Sequence, residues 1–395
     1  MTRNAISKAV LASGILLLFP LSACISPETP VPIVMGGSVS QGTNVAGNGS
    51  GFVAGWRTNM NLAATSFSSN QGQTWSSPAT FGSNVISLVS LSAQSSKFLA
   101  AWITNVRNVS ASVSSNGLSW SAPVVIASDG GGETIQTFVT TAATNAGFMA
   151  IWTSDLLSVG IYVKTSFSAD GVNWNAPVSI PTAFFPTANK ISIAGNANGF
   201  LAGFTDDTID QGYVSFSSDN GMTWGTPVLV APTLGNNCTL GLGANASGFM
   251  AAWVDSSGKI ATSFSSDNGA TWSSPVQIQM SIAFSGSVPR VSANSGSFVV
   301  AWTQGFSLEA QASCTQNQGI TWSNPYIFES ILNAPIFDVS VFGSRAMFTW
   351  HDTANNPIST YSPISGGGGD GADSTLPSDF FRQITPNRPG KTVFN

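Results

Sequence analysis

The amino-acid sequence predicts an all-β chain in which a four-stranded antiparallel unit recurs seven times and closes into a ring. Three observations carry that expectation. A turn-centred segment, SFSSDNGATWSSP at Ser263, returns as SFSSNQGQTWSSP at Ser66, SVSSNGLSWSAP at Ser112, SFSADGVNWNAP at Ser166, SFSSDNGMTWGTP at Ser215 and SCTQNQGITWSNP at Ser313. A second, apolar segment occurs seven times, as GFVAGW at Gly51, KFLAAW at Lys97, GFMAIW at Gly147, GFLAGF at Gly199, GFMAAW at Gly248, SFVVAW at Ser297 and RAMFTW at Arg345. Successive copies lie 46 to 52 residues apart, the length of four short strands with their turns.

Local chemistry accounts for each element. Ser263, Phe264 and Ser265 alternate as strand residues do. Asp267, Asn268 and Gly269 then make a tight turn, because Asn and Gly tolerate positive φ and a short carboxylate accepts hydrogen bonds from the turn's own N–H groups. Trp272 can pack over that turn, and Pro275 restricts how the outgoing strand pairs. Cys314 stands at the Phe264 position of its copy, where a small buried hydrophobe fits. The GFxAxW-like segments are near-continuous apolar runs, as expected of strands covered on both faces.

The turn pattern S-x-D-x-G-x-T-W resembles the Asp-box (BNR) repeat of sialidases and other β-propellers. Residues 217–224 and 265–272 match it in full, through Asp219, Gly221 and Trp224 and through Asp267, Gly269 and Trp272. Residues 68–75 keep Gly72 and Trp75 with Asn70 in place of the Asp, and residues 315–322 keep Gly319 and Trp322 with Thr315 and Asn317 as replacements. The copies at 114–120 and 168–174, the latter carrying Asp170 and Trp174, are one residue short. The resemblance implies a propeller in which this box braces the outer hairpin of each blade, away from any ligand.

Seven apolar segments stand against six turns. Each complete turn is followed by an outgoing strand such as SPVQI or TPVLV, whereas the seventh unit runs out at Tyr361 and Ser362 into glycines. TPVPI, residues 29–33, has no turn ahead of it and reads as the missing outer strand. The expected architecture is thus a seven-bladed β-propeller over residues 29–365, its ring closed by the N-terminal strand 29–33 joining the last blade. Residues 366–395 read as a glycine-rich linker and flexible tail.

Ahead of the ring, Arg3 and Lys8 precede an apolar run and then LSAC, which resembles a bacterial lipobox. Residues 1–23 read as a lipoprotein signal peptide, Cys24 as the lipid attachment point, and 24–28 as an anchor segment. Ile25 after the Cys favours the outer membrane. Only 8% of residues are charged and the net charge is −5, which suits an exported β-protein and argues against a nucleic-acid partner. Membrane contact is expected through the lipid anchor only, and the chain is expected to be a monomer.

The face opposite the turn motif collects Asp129, Glu133, Asp155, Asp206, Asp207, Asp210, Asp255, Glu309 and the pair His351 and Asp352, half of the 18 carboxylates. The expected ligand face is Asp155, Asp206, Asp207, Asp210, Asp255, Glu309, His351 and Asp352, meeting a glycan or protein without catalysis. Phe184, Phe185, Phe284 and Phe306 fall on the same face and would suit stacking. Ca2+ is the one cofactor such acids suggest, although the full EF-hand spacing is missing. No resident metal is expected.

The alternative is a divergent sialidase-like glycoside hydrolase. The resemblance would then demand three arginines on a substrate carboxylate, a Tyr nucleophile and an Asp acid, for which Arg57, Arg107, Arg290, Tyr326 or Tyr361, and Asp129 or Asp155 are the available residues. The early arginine motif of that family, F/Y-R-I-P, is missing.

Overall fold

The computed structural model describes residues 33–157, 159–182, 186, 190–235, 238–278, 288–304, 309–330, 338–352 and 354–364. These form seven four-stranded antiparallel sheets and no helix. Blade 1 runs outward from the ring centre as Gln41–Asn48, Gly51–Arg57, Ala63–Ser68 and Ala79–Gly82. The innermost strands of blades 2 to 6 are Ser90–Ala93, Glu133–Thr144, Ile191–Asn196, Gly241–Asn245 and Arg290–Ala293.

Blade 7 takes three strands from the C-terminal end of the chain, Asp338–Phe342, Arg345–His351 and Pro357–Pro363. Its fourth, Ile33–Val34, comes from the N-terminal end, with Ile33 opposite Ser359 and Val34 opposite Ile358. Closure by an N-terminal strand is therefore as expected. The strand lies at the end of the expected stretch, and residues 29–32 are outside the described residues. After it the backbone stays tied to the blade: the Met35 N–H donates to Pro357 O at 2.9 Å and the Val39 N–H to Asn355 O at 2.7 Å. Met35 and Val39 are buried against Trp56 of blade 1.

The second strand of each blade is apolar on both faces because both are covered. Phe98, Ala100 and Trp102 pack towards Val53 of blade 1, while Leu99, Ala101 and Ile103 pack towards Phe148, Ala150 and Trp152 of blade 3. Alternation of side chains along a strand thus gives each blade two cores to fill. Trp56, Trp102, Trp152, Trp253 and Trp302 close these layers and are fully buried. The strand starts at a glycine for a steric reason: Gly51 has φ of 142°, and a Cβ there would lie 2.0 Å from Ser68 O.

The turn motif is a closed hydrogen-bonded unit. In blade 5, Ser265 Oγ donates to Asp267 Oδ1 at 2.8 Å and accepts from the Gly269 N–H at 2.8 Å. Asp267 accepts the Thr271 N–H at 2.9 Å and the Thr271 hydroxyl at 2.6 Å, and Trp272 Nε1 donates to Gly269 O at 3.1 Å. The variant copies keep the unit by other means. Asn70 and Asn317 accept the same N–H through Oδ1 and donate through Nδ2 to Thr74 and Thr321. In the short copies, Asn116 and Asp170 each accept N–H groups two and three residues ahead.

The turn also reaches beyond its own hairpin. A Cβ on Gly72 would fall 2.1 Å from Met347 Cε of blade 7, one on Gly221 2.6 Å from Met149 of blade 3, and one on Gly269 2.7 Å from Leu201 of blade 4. Each turn therefore sits on the preceding blade.

A second device runs the other way. At the turn between the first two strands, Asn48 Nδ2 donates to Gln94 O, Gln94 Nε2 to Thr144 O, Asn196 Nδ2 to Asn245 O, Asn245 Nδ2 to Asn294 O and Asn294 Nδ2 to Gly343 O, at 2.7 to 3.2 Å. Five of the seven seams carry this amide link to the following blade.

Candidate functional site

Among the described residues, several concave or projecting regions remain once the cores are filled. The first is the central channel, about 340 Å³ and lined by the seven innermost strands. Small residues line it, among them Gly47, Ser90, Ser192, Gly241 and Ser292, because inner strands converge where there is no room for bulk.

Among the described residues the channel carries one charge pair. Arg290 Nε lies 3.9 Å from Asp338 Oδ1, and Asp338 Oδ2 accepts the Val45 N–H at 3.1 Å. Burial pushes the Asp338 carboxyl above its ordinary range, against the pull of Arg290 and of the N–H groups of Val45 and Val339. Asp338 thereby ties blade 7 to blade 1 at the closing seam. The sequence reading missed it, and its one signal was an acid inside the apolar run FDVSVF.

The second region is the face holding the turns between the second and third strands. Three of the acids expected to meet a ligand there, Asp206, Asp255 and Asp352, hold their own turns. Asp255 accepts the Lys259 N–H at 3.0 Å, and Asp352 accepts the Asn356 N–H at 2.8 Å. Thr58 and Thr104 do the same for Leu62 and Asn108 in blades 1 and 2, both at 3.1 Å. Asp and Thr are interchangeable at this position because the turn needs only one side-chain oxygen.

For Asp255 burial raises the pKa, but hydrogen bonds from Ser257, Lys259 and Gln277 outweigh it and leave the carboxyl below the ordinary range. Asp352 is lowered in the same way, burial being outweighed by Asn356, Ala354 and His351. His351 itself is pushed down by burial, with Asp352 opposing.

Other acids are engaged too. Asp206 accepts the backbone N–H and the hydroxyl of Thr208, Asp207 pairs with Lys190, and Glu133 pairs with Lys164 at 2.8 Å. Asp129 accepts the Ile135 N–H at 2.6 Å. Asp210 sits at φ 51°, where its carbonyl accepts the Leu234 N–H at 2.8 Å. Glu309 accepts from Gln311 Nε2 at 3.3 Å, and Asp155 lies partly buried at the outer end of the second strand of blade 3. Among the described residues no three His, Cys, Asp or Glu side chains gather as metal ligands would. Phe184, Phe185, Phe284 and Phe306 lie outside the described residues.

Large apolar side chains project from this face beside exposed polar ones such as Asn59, Asn105, Asp207 and Ser256. Met60, Val106, Leu157 and Ile209 stand at the turn tips of blades 1 to 4 with 73%, 65%, 67% and 54% exposure. No periodicity distinguishes such a tip from a core residue, so sequence reading passed over them.

The arginines and tyrosines do not assemble. Arg57 donates to Ile86 O and to Asn61, bracing the seam between blades 1 and 2. Arg107 donates to Ile135 O at the next seam, and only Arg290 lines the channel. Tyr326 is in the outermost strand of blade 6, its hydroxyl pKa raised by burial, and Tyr361 stacks under Arg345 on the turn-motif side, 4.6 Å from guanidinium to ring centre.

No family model matches the chain, and no curated protein matches it in sequence. Solved structures do match in fold. The BP39L lectin from Burkholderia pseudomallei is 15% identical with a TM-score of 0.63, over 85% of this chain and 98% of that one. The phage phi92 endosialidase is 10% identical with a TM-score of 0.51, over 91% and 72%. NanB sialidase from Streptococcus pneumoniae is 13% identical with a TM-score of 0.47, over 85% and 70%.

Proposed function

We propose that this chain is an exported, lipid-anchored propeller that binds a glycan through the face bearing Met60, Val106, Leu157 and Ile209, without catalysing its hydrolysis. One observation carries the non-catalytic reading: Arg57, Arg107 and Arg290 serve three different places, so among the described residues no guanidinium cluster is available to hold a sugar carboxylate. The likeness to a lectin propeller fits a binding role, and a protein ligand on the same face is the outcome to which a glycan-negative result would point. The lipid attachment at Cys24 and an outer-membrane or cell-surface location belong to the same reading.

The test is a glycan array run beside a fluorogenic sialoside assay on the purified protein. Expected are array binding that disappears in Val106→Arg and Leu157→Arg at unchanged melting temperature, and no sialoside turnover. Turnover lost on Arg290→Ala would replace this reading with a sialidase-like hydrolase.

A further inference from the structure

We infer that the face bearing the turn motif lies against a lipid surface, so that the opposite face, with Met60 and Val106, points away from the membrane. The inference rests on the lipid anchor proposed above and adds an orientation to it.

Strand direction supplies the first argument. Ile33–Val34 runs antiparallel to Pro357–Pro363, with Ile33 opposite Ser359, and the chain then proceeds to Val39 at the Asp352–Asn356 turn on the far face. The chain at Ile33–Val34 therefore runs from the turn-motif side towards the far face. Pro357–Pro363 runs the other way and ends beside the turn at Ser344, where the Ile364 N–H donates to Ser344 O at 2.7 Å. The first residue of Ile33–Val34 and the last of Pro357–Pro363 thus point to one face. Cys24 precedes Ile33 by only nine residues, a reach of about 30 Å at full extension, so a lipid there holds that face near the bilayer.

Exposure supplies the second argument. The residue after the motif glycine projects from the same face, and in four of the six copies it is a large apolar one: Leu118 is 47% exposed, Val172 42%, Met222 65% and Ile320 74%. Hydrogen bonds of the turn fix its backbone, so these side chains are presented rigidly outward. One acyl anchor binds reversibly and a second apolar contact strengthens it. Asp170, Asp219 and Asp267 share the face, which suits a zwitterionic surface better than an anionic one.

The experiment uses full-length protein made in a bacterial envelope and reconstituted into vesicles of phosphatidylethanolamine and phosphatidylcholine. Single fluorophores are attached at Met222→Cys, Ile320→Cys, Met60→Cys or Val106→Cys, Cys238 being buried and Cys314 not a free thiol. Spin-labelled lipid is expected to quench the Met222→Cys and Ile320→Cys labels several-fold more than the other two. Equal quenching, or stronger quenching at Met60→Cys and Val106→Cys, overturns the orientation. Intact mass separates the two levels: protein lacking a diacylglyceryl group refutes the anchor and the orientation with it, whereas lipidated protein with the wrong quenching pattern refutes the orientation alone.

Discussion

Ser265 accepts the Gly269 N–H and donates to Asp267 while itself 1% exposed, so its hydroxyl joins the two halves of the turn. Ser265→Ala would leave a buried N–H unpaired and is expected to lower stability by about 1–3 kcal/mol in a denaturant titration. Asp267→Asn should behave differently. Asn70 and Asn317 already complete the same turn by reversing the bond to the Thr hydroxyl, so this change is expected to stay within about 1 kcal/mol. A loss as large as that of Ser265→Ala would show that the carboxylate charge matters beyond its geometry.

Among the elements, the two-residue strand Ile33–Val34 is the one that joins the chain ends. Deleting residues 27–34 exposes the edge of Pro357–Pro363 and is expected to lower the melting temperature by several degrees; an unchanged value would show that blade 7 stands on three strands. The blades themselves were legible because GFVAGW and its six relatives combine a strand's composition with a fixed period. The seam devices were not. Asn48, Asn245 and Asn294 look like ordinary turn residues, and nothing local shows that their amides reach a carbonyl some 50 positions away.

Over the whole molecule, charge is spent on architecture. Asp170 is held well below the ordinary carboxylate range by the N–H groups of Asn173 and Val172; Asp267 is lowered by Thr271; and in Asp219 hydrogen bonds from Thr223 and Ser217 outweigh burial. Because each folded-state pKa is below its unfolded value near 4, the stability these groups contribute is full above that value and is lost as pH falls through their folded pKa values. Asp338 acts oppositely, its raised pKa lowering stability as it ionises with rising pH. With three motif carboxylates against one channel carboxylate, the melting temperature is expected to fall from about pH 4 to about pH 2. A flat profile would show that these hydrogen bonds do not distinguish folded from unfolded chain. The same thrift explains why the site was hard to read: Asp255 and Asp352 are indistinguishable in sequence from ligand-binding acids, and only the equivalence with Thr58 and Thr104 reveals a turn position.

Joining the first and last strands side by side, with both free ends at one edge, sets how the ring answers mechanical load. Drawing Ile33 and Ile364 apart strains the bonds between Ile33–Val34 and Pro357–Pro363 in succession from that edge, as in peeling tape. Shear would load them together and meet more resistance. The joint that completes the ring is thus also the place where a modest pull would open it, one blade deep, with the other six still stitched to their neighbours.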